Sequence, residues 1–187
     1  MGPHEITDRL ADLVNLPRPV WLTGGVAVDF LVGRWTRPHK DLDLIAFSTE
    51  RSGLHDELRR RGVRLVNDGT WTTRWTSDGR PVGEIEIVFV EPVSPNTGVV
   101  VIPQRDPAGG SPGRYALAPN YLAPDNWREL DGIRFLVGSA EGEWLHRLRG
   151  ARLVDDRMIT AEIEHDMTLL AELIPEERRQ QLEAEDT

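Results

Sequence analysis

Cysteine is absent from the 187 residues. That excludes disulfides, thiolate metal sites and cysteine nucleophiles, and it suits a reducing compartment. Long apolar runs are missing too. The longest, such as "IEIVFV" at 85–90, falls far short of the ~20 residues that cross a bilayer as a helix. The N-terminal stretch "MGPHEITDRLADLV" has charges inside its apolar pattern and no signal-peptide core. A soluble, cytoplasmic protein without a membrane partner is expected.

Positive charge is in short supply. Lys and Arg number 22 against 31 Asp and Glu, a formal net charge of −9. Nucleic acid phosphates usually meet a basic patch, so a nucleic-acid partner is not expected. An acidic surface would instead steer a cationic partner towards it. No G-x-x-x-x-G-K-[ST] loop occurs, so a Walker-type phosphate cradle is excluded. Neither a zinc-type histidine spacing nor a Ser-His-Asp arrangement stands out.

What is present suffices for a packed core: 39% of the residues are hydrophobic and 28% charged. Ile6, Leu10, Leu13 and Val14 lie on one face of a short amphipathic helix. "PVWLT" reads as a strand ended by Gly24-Gly25, "VAVDFLVGR" as a buried helix closing near Gly33, and "DLDLIAF" as a strand. "RSGLHDELRRRG" predicts a helix capped by Gly62. "VRLV" and "TWTTRW" follow as strands, and "EIEIVFV" pairs back on the latter as a hairpin. Residues 91–130 are rich in Pro, Gly, Asn and Asp, with "VVVI" and "RYAL" as short strands. A loop region that long is usually functional. "IRFLVG" is a last strand, and helices begin at Ser139 and within "TAEIEHDMTLLAELI". The tail "PEERRQQLEAEDT" reads as a solvated helix end. The expected division is a core of residues 1–130, carrying a long substrate-side loop region at 91–130, followed by a last strand and C-terminal helices at 131–187 packed on it.

The chemistry concentrates in "WLTGGVAVDFLVGRWTRPHKDLDLIAF", residues 21–47. Alternate strand residues share a face, so Asp41 and Asp43 present two carboxylates together while Leu42 and Leu44 enter the core. Like charges this close are costly unless a cation lies between them. Mg²⁺ suits such a site, being bound by one or two carboxylates together with substrate phosphates. A third carboxylate from a neighbouring strand would complete a site for in-line phosphoryl chemistry. Glu84 and Glu86 both qualify and share one face. Glu84 follows directly on the turn "DGRPVG", whereas Glu86 lies deeper, between Ile85 and Ile87, where a charge needs compensation. Gly24 and Gly25 would let the backbone approach a phosphate at a helix N-terminus. Arg34 and Arg37 flank that position, and His39 is placed to orient an aspartate or a phosphate. Asp29 is expected to hold the glycine turn from a buried helix face. His165-Asp166 reads as a helix-packing pair, and Trp71, Trp75, Trp127 and Trp144 as core or loop anchors.

"GGVAVDFLVGRWTRPHKDLDL" resembles the signature of the DNA polymerase β-like nucleotidyltransferase superfamily. More narrowly it is similar to the small aminoglycoside and lincosamide nucleotidyltransferases. The match falls on Gly24, Gly25, Asp29, Gly33, Arg34, Thr36, Arg37, His39, Asp41 and Asp43, and the likeness extends over roughly residues 19–173, with 91–130 unmatched. The resemblance implies an α+β fold, a nucleotidyltransferase-type mixed β-sheet flanked by helices with a helical C-terminal end. It also implies transfer of a nucleoside monophosphate, AMP from ATP or that of another nucleoside triphosphate, to a hydroxyl of an antibiotic. Asp41, Asp43 and Glu86 would be the catalytic and Mg²⁺ (or Mn²⁺) ligands. Gly24, Gly25, Arg34, Arg37 and His39 would bind nucleotide. "IEI" aligns with the family's third-carboxylate triplet, where the family usually has Asp and this chain has Glu86. Where the family commonly carries a Lys, the nearby bases here are His146, Arg147 and Arg149. The −9 charge favours a cationic aminoglycoside as acceptor. Two other readings are a nucleotidyltransferase toxin or regulator acting on RNA or protein, and an inactive nucleotide-binding relative.

Overall fold

The computed structural model describes residues 2–69, 72–77, 85–102, 113–153 and 160–185. Helix α1 (Pro3–Leu13) buries Ile6, Leu10 and Leu13, the stripe its spacing predicts. Strand β1 (Trp21–Thr23) is wholly buried and runs straight into α2 (Gly24–Val32), which Gly33 closes in the left-handed region at φ 73°. Strand β2 (Leu42–Phe47) leads through a short 3-10 turn to α3 (Arg51–Arg60), which stops at Gly62, φ 78°. Then come β3 (Val63–Asp68), β4 (Thr72–Ser77) and β5 (Ile85–Ser94). Four further strands follow: β6 (Thr97–Ile102), β7 (Gly113–Ala116), β8 (Trp127–Leu130) and β9 (Ile133–Val137). Helices α4 (Ala140–Leu153), α5 (Ala161–Leu173) and α6 (Glu176–Glu185) close the chain.

The strands lie in the order β3-β4-β5-β2-β1-β9-β8, and β6 and β7 extend from β5. β1 runs parallel to β9 and β2 parallel to β5, while β1–β2 and the hairpin pairs are antiparallel. This is the expected mixed sheet. Alternation along β2 divides the molecule into two cores. Leu42, Leu44 and Ala46 join α1 and α3 on one face, and Ile45 joins Trp21, Leu136, Trp144 and Leu170 of the α4–α5 side on the other. Burying each such leucine is worth about 1.5–3 kcal/mol. A one-residue slip of β2 would drive Asp41 and Asp43 into the first core, so the leucines fix the register that puts Asp43 on the helix-covered face.

The stretch from 91 to 130 holds more strand than its composition predicts. β5 continues to Ser94 and turns back as β6, with Glu91 opposite Val99, and β6 pairs with β7. "VVVI" and "RYAL" fall in or overlap these strands. β8 is not foreseen by the composition. It is paired with β9 through Asp131 and Gly132, both at positive φ (49° and 77°), which is the demand of a tight two-residue hairpin turn. The acidic tail is not merely a solvated helix end: it is a separate helix after Pro175 and buries Leu182. Ser139 begins α4 as expected, its Oγ accepting the Gly142 N–H at 3.2 Å. Trp75 and Trp144 are buried, Trp127 is 41% exposed beneath the Arg134 guanidinium, and Trp71 lies outside the described residues. Among the described residues no helix is long and apolar enough to cross a membrane.

Candidate active site

Strand register assembles one row of polar side chains across the sheet. Thr23 of β1 pairs with Asp43 of β2, Asp43 with Glu86 of β5, and Glu86 with Arg74 of β4. Parity along each strand puts Thr23, Asp43 and Glu86 on the side covered by α4 and α5. Arg74, which the sequence reading did not single out, holds Glu86 through Nε to Oε2 at 2.9 Å. Asp41 sits just before β2 and is exposed. Glu84 lies outside the described residues.

Both glycines are demanded by what stands next to them. Gly24 has φ 75°, and a Cβ there would overlap the Asp43 carboxylate oxygen Oδ2. At Gly25 a Cβ would overlap the Arg37 guanidinium and stand 2.7 Å from His39 Nδ1. The turn therefore brings bare backbone against Asp43 on one side and against Arg37 and His39 on the other. Not every N–H of this turn faces outward: that of Gly24 donates to Glu143 Oε2 at 3.3 Å.

Glu143 is 0% exposed and also accepts from Thr23 Oγ1 at 2.8 Å and from the Tyr121 hydroxyl. The Tyr121 ring occupies space that Gly138 and Gly142 leave open, since a Cβ on either would overlap it. Burial, with the Glu143 carboxylate beside it, pushes the Tyr121 phenol well above its ordinary range, so it stays protonated. The sequence offers Glu143 only as an acidic residue in a first helical turn. Gly138 and Gly142, one turn apart, were the available sign of a ring inserted there.

Asp29 holds the loop before β2 rather than the glycine turn. It accepts from the Thr36 N–H at 3.2 Å and from the Thr36 hydroxyl, and its Oδ2 lies 2.6 Å from His39 Nε2. His39 is thus oriented by Asp29 and presents its other edge at Gly25. Arg37 extends from the same loop to Asp166 of α5 (Nε–Oδ1 3.2 Å, Nη2–Oδ2 3.1 Å). Asp166 is therefore more than a helix-packing residue. Arg147 of α4 meets the same carboxylate at 3.2 and 3.0 Å, and Glu143 at 3.5 Å.

These groups enclose a cleft of about 280 Å³ lined by Gly24, Gly25, Arg37, His39, Asp41, Asp43, His146, Arg147, Glu162, Ile163 and Asp166. Arg34 is not among them. Gly33 ends α2 and turns it towards Glu172 on the surface, at 3.9 Å. Glu86 is not among the lining residues either: it stands beside Asp43 in the sheet, half-buried and paired with Arg74. Burial, then the charges of Asp41 and Glu86, raise the Asp43 carboxyl from 3.8 to about 7. Burial holds the His146 imidazole below its usual value. Among the described residues no three Asp, Glu or His side chains stand close enough to hold a metal by themselves.

The model of the aminoglycoside-2''-adenylyltransferase family matches residues 4–142, well over half of the chain. Among curated proteins, none matches. Three solved structures share the fold at 18% identity. The solution structure of the antibiotic-resistance factor ANT(2'')-Ia has a TM-score of 0.70, covering 96% of this chain and 88% of its own. The crystal structure of ANT(2'')-Ia with adenylyl-2''-tobramycin has 0.72, with 98% and 95% covered. The lincomycin-bound lincosamide antibiotic adenylyltransferase LnuA has 0.63, with 93% and 99% covered. The mixed sheet with its C-terminal helices is therefore a nucleotidyltransferase fold, and the chain belongs to the aminoglycoside-2''-adenylyltransferase family of nucleotidyltransferases.

Proposed function

We propose that the protein transfers AMP from ATP to a hydroxyl of a cationic small molecule, an aminoglycoside before a lincosamide. The observation that carries the reading is the register that sets Glu86 beside Asp43, a carboxylate of the cleft over which Gly24 leaves no room for a side chain.

Mg²⁺ fits these residues. Asp41 and Asp43 are hard oxygen donors, and burial first, then the neighbouring charges of Asp41 and Glu86, makes the Asp43 carboxylate costly unless a cation offsets it. A set short of three ready ligands suits an ion that takes its remaining oxygens from triphosphate and water. Asp41 and Asp43 would hold it, with Glu86, the neighbour of Asp43 in the sheet, proposed as the third carboxylate that closes in when the ion and triphosphate are bound. When bound, it supplies charge neutralisation at the α-phosphate and on the leaving pyrophosphate. The protein's own part is binding, orientation and proton transfer. Arg37 and Arg147 face the phosphates, and the bare glycine backbone lets them come close. The acceptor oxygen attacks the α-phosphorus, the bond to the bridging oxygen breaks, and pyrophosphate leaves. The hydroxyl proton passes to Glu86.

Glu86→Gln keeps shape but removes the charge. Transfer is expected to fall more than about 100-fold with the far-UV circular dichroism unchanged. Near-wild-type turnover would remove Glu86 from the mechanism.

Support for the acceptor side comes from β5, which carries Glu86 and runs on into the β5–β6 hairpin. The acceptor is proposed to lie against residues 91–130. Incubating the protein with Mg²⁺, each of the four triphosphates and a panel of antibiotics, read by mass spectrometry, should give an adenylylated aminoglycoside. Aminoglycoside binding should weaken as salt rises, because screening shortens the reach of the −9 charge. An adduct only on lincosamides would move the acceptor class. Labelled nucleotide on protein or RNA would replace the reading with a toxin or regulator.

A further inference from the structure

We infer that Asp166 sets the charge of the nucleotide cleft so that it accepts ATP with its metal and disfavours the bare polyanion. This rests on the reading of the cleft as a nucleotide site.

Arg37 comes from the loop before β2 and Arg147 from α4, and both end on the one Asp166 carboxylate of α5, four N–O contacts of 3.0–3.2 Å. Asp166 is 2% exposed and Arg147 8%. Replacing a buried ion cluster by apolar residues often costs no stability, so fold stability alone gives little reason for it. Its place gives a better one, because Arg37, Arg147 and Asp166 all line the cleft. With Glu143 at 3.5 Å from Arg147, the cluster has two guanidiniums and two carboxylates and no formal net charge.

The rest of the cleft adds no surplus of cations. Asp41 and Asp43 are acidic, and Lys40, which does not line the cleft, is matched by Glu162, which does, at 2.8 Å. Two arginines therefore offer directional donors to phosphate oxygens without an excess of positive charge. A bare triphosphate enters against Asp41 and Asp43, whereas a triphosphate carrying a divalent cation brings the missing charge with it. Both carboxylates that balance Arg147, Glu143 and Asp166, lie beyond residue 142, where the family match ends. The C-terminal helices thus supply the charge balance of a site whose glycines and aspartates come from the N-terminal half.

Asp166→Asn keeps the shape and an acceptor oxygen but removes one negative charge beside the phosphates. ATP binding is measured by calorimetry with Mg²⁺ and with EDTA. Wild-type protein should bind ATP at least about tenfold more weakly in EDTA. The Asn variant should bind metal-free ATP about tenfold more tightly than wild type, so that the metal preference collapses. Asp166→Glu, which keeps the charge, should retain the preference, and Asp166→Ser serves as the neutral variant if Asn does not fold. Unchanged or weaker metal-free binding in the neutral variant overturns the inference, as does wild-type ATP binding with no metal preference. No ATP binding by wild type under either condition overturns the nucleotide-site reading itself, and this inference with it.

Discussion

Asp43→Asn is expected to abolish transfer and, at the same time, to make the metal-free protein more stable above neutral pH. The loss of activity, more than about 100-fold, follows from removing a proposed metal-ligating carboxylate, since even outer-shell partners of metal ligands cost 10–100-fold. The gain in stability follows from the raised Asp43 carboxyl. Its value in the fold is about 7 against 3.8 unfolded, owing to burial and to the charges of Asp41 and Glu86. Between these two values the folded protein holds a proton that the unfolded chain has lost. Stability therefore falls as pH rises from about 4 to about 7, and the full penalty persists above that. Asn carries no charge and escapes it. The advantage of the variant should open across this window and level off on the order of 2–4 kcal/mol, roughly 5–10 °C in melting temperature. Thermal melts in EDTA at pH 5 and pH 8 measure it. Adding Mg²⁺ should stabilise wild type and leave the variant unmoved. A variant no more stable than wild type at pH 8 in EDTA would mean that Asp43 is not under electrostatic strain. Retained turnover would place the metal site elsewhere.

The halves of this site differ in how far the sequence discloses them. Asp41, Asp43 and the glycine pair are legible because strand parity and turn chemistry are local, acting within a few residues of chain. Leu42 and Leu44 confirm that parity by their complete burial. The Asp43–Glu86 register is a longer inference, yet one short hairpin and one apolar strand are enough to suggest it. Tyr121, Glu143 and Asp166 are different. Their role depends on a turn and two helices that return to the Gly-Gly turn about 100 residues or more further along the chain, and no spacing rule links Gly24 to Glu143 or Arg37 to Asp166. Arg34 fails for the opposite reason. It is adjacent in sequence to the site, but Gly33 reverses the chain between them and sends its side chain to Glu172. The β8 strand was readable in principle from Asp131-Gly132. The strand itself is silent, because four residues of mixed polarity, Trp127–Leu130, carry too little periodicity to register as one.

Three glycines separate steric demand from backbone demand. Gly24 and Gly33 have nearly the same positive φ, 75° and 73°, so alanine pays a similar left-handed penalty of roughly 1–2 kcal/mol at either. Their surroundings differ. Nothing lies within 4 Å of a Cβ at Gly33, whereas at Gly24 it would overlap Asp43 Oδ2 and stand 3.1 Å from Asp43 Cβ. Gly33→Ala should therefore lower stability by about 1–2 kcal/mol and leave turnover within about twofold. Gly24→Ala must also push Asp43 off its position. A displacement of about 1 Å at a catalytic group is enough to cost about 100-fold in rate, and that loss is expected in kcat. Gly25→Ala should fall between them and chiefly raise KM for ATP, because its Cβ meets the tip of Arg37, a flexible side chain that can swing aside, and the ring of His39. Steady-state kinetics and thermal melts on the three variants give the ranking. Equal losses of activity in Gly24→Ala and Gly33→Ala would show that the turn needs only its backbone angle. The close approach of Gly24 to Asp43 would then have no part in the chemistry.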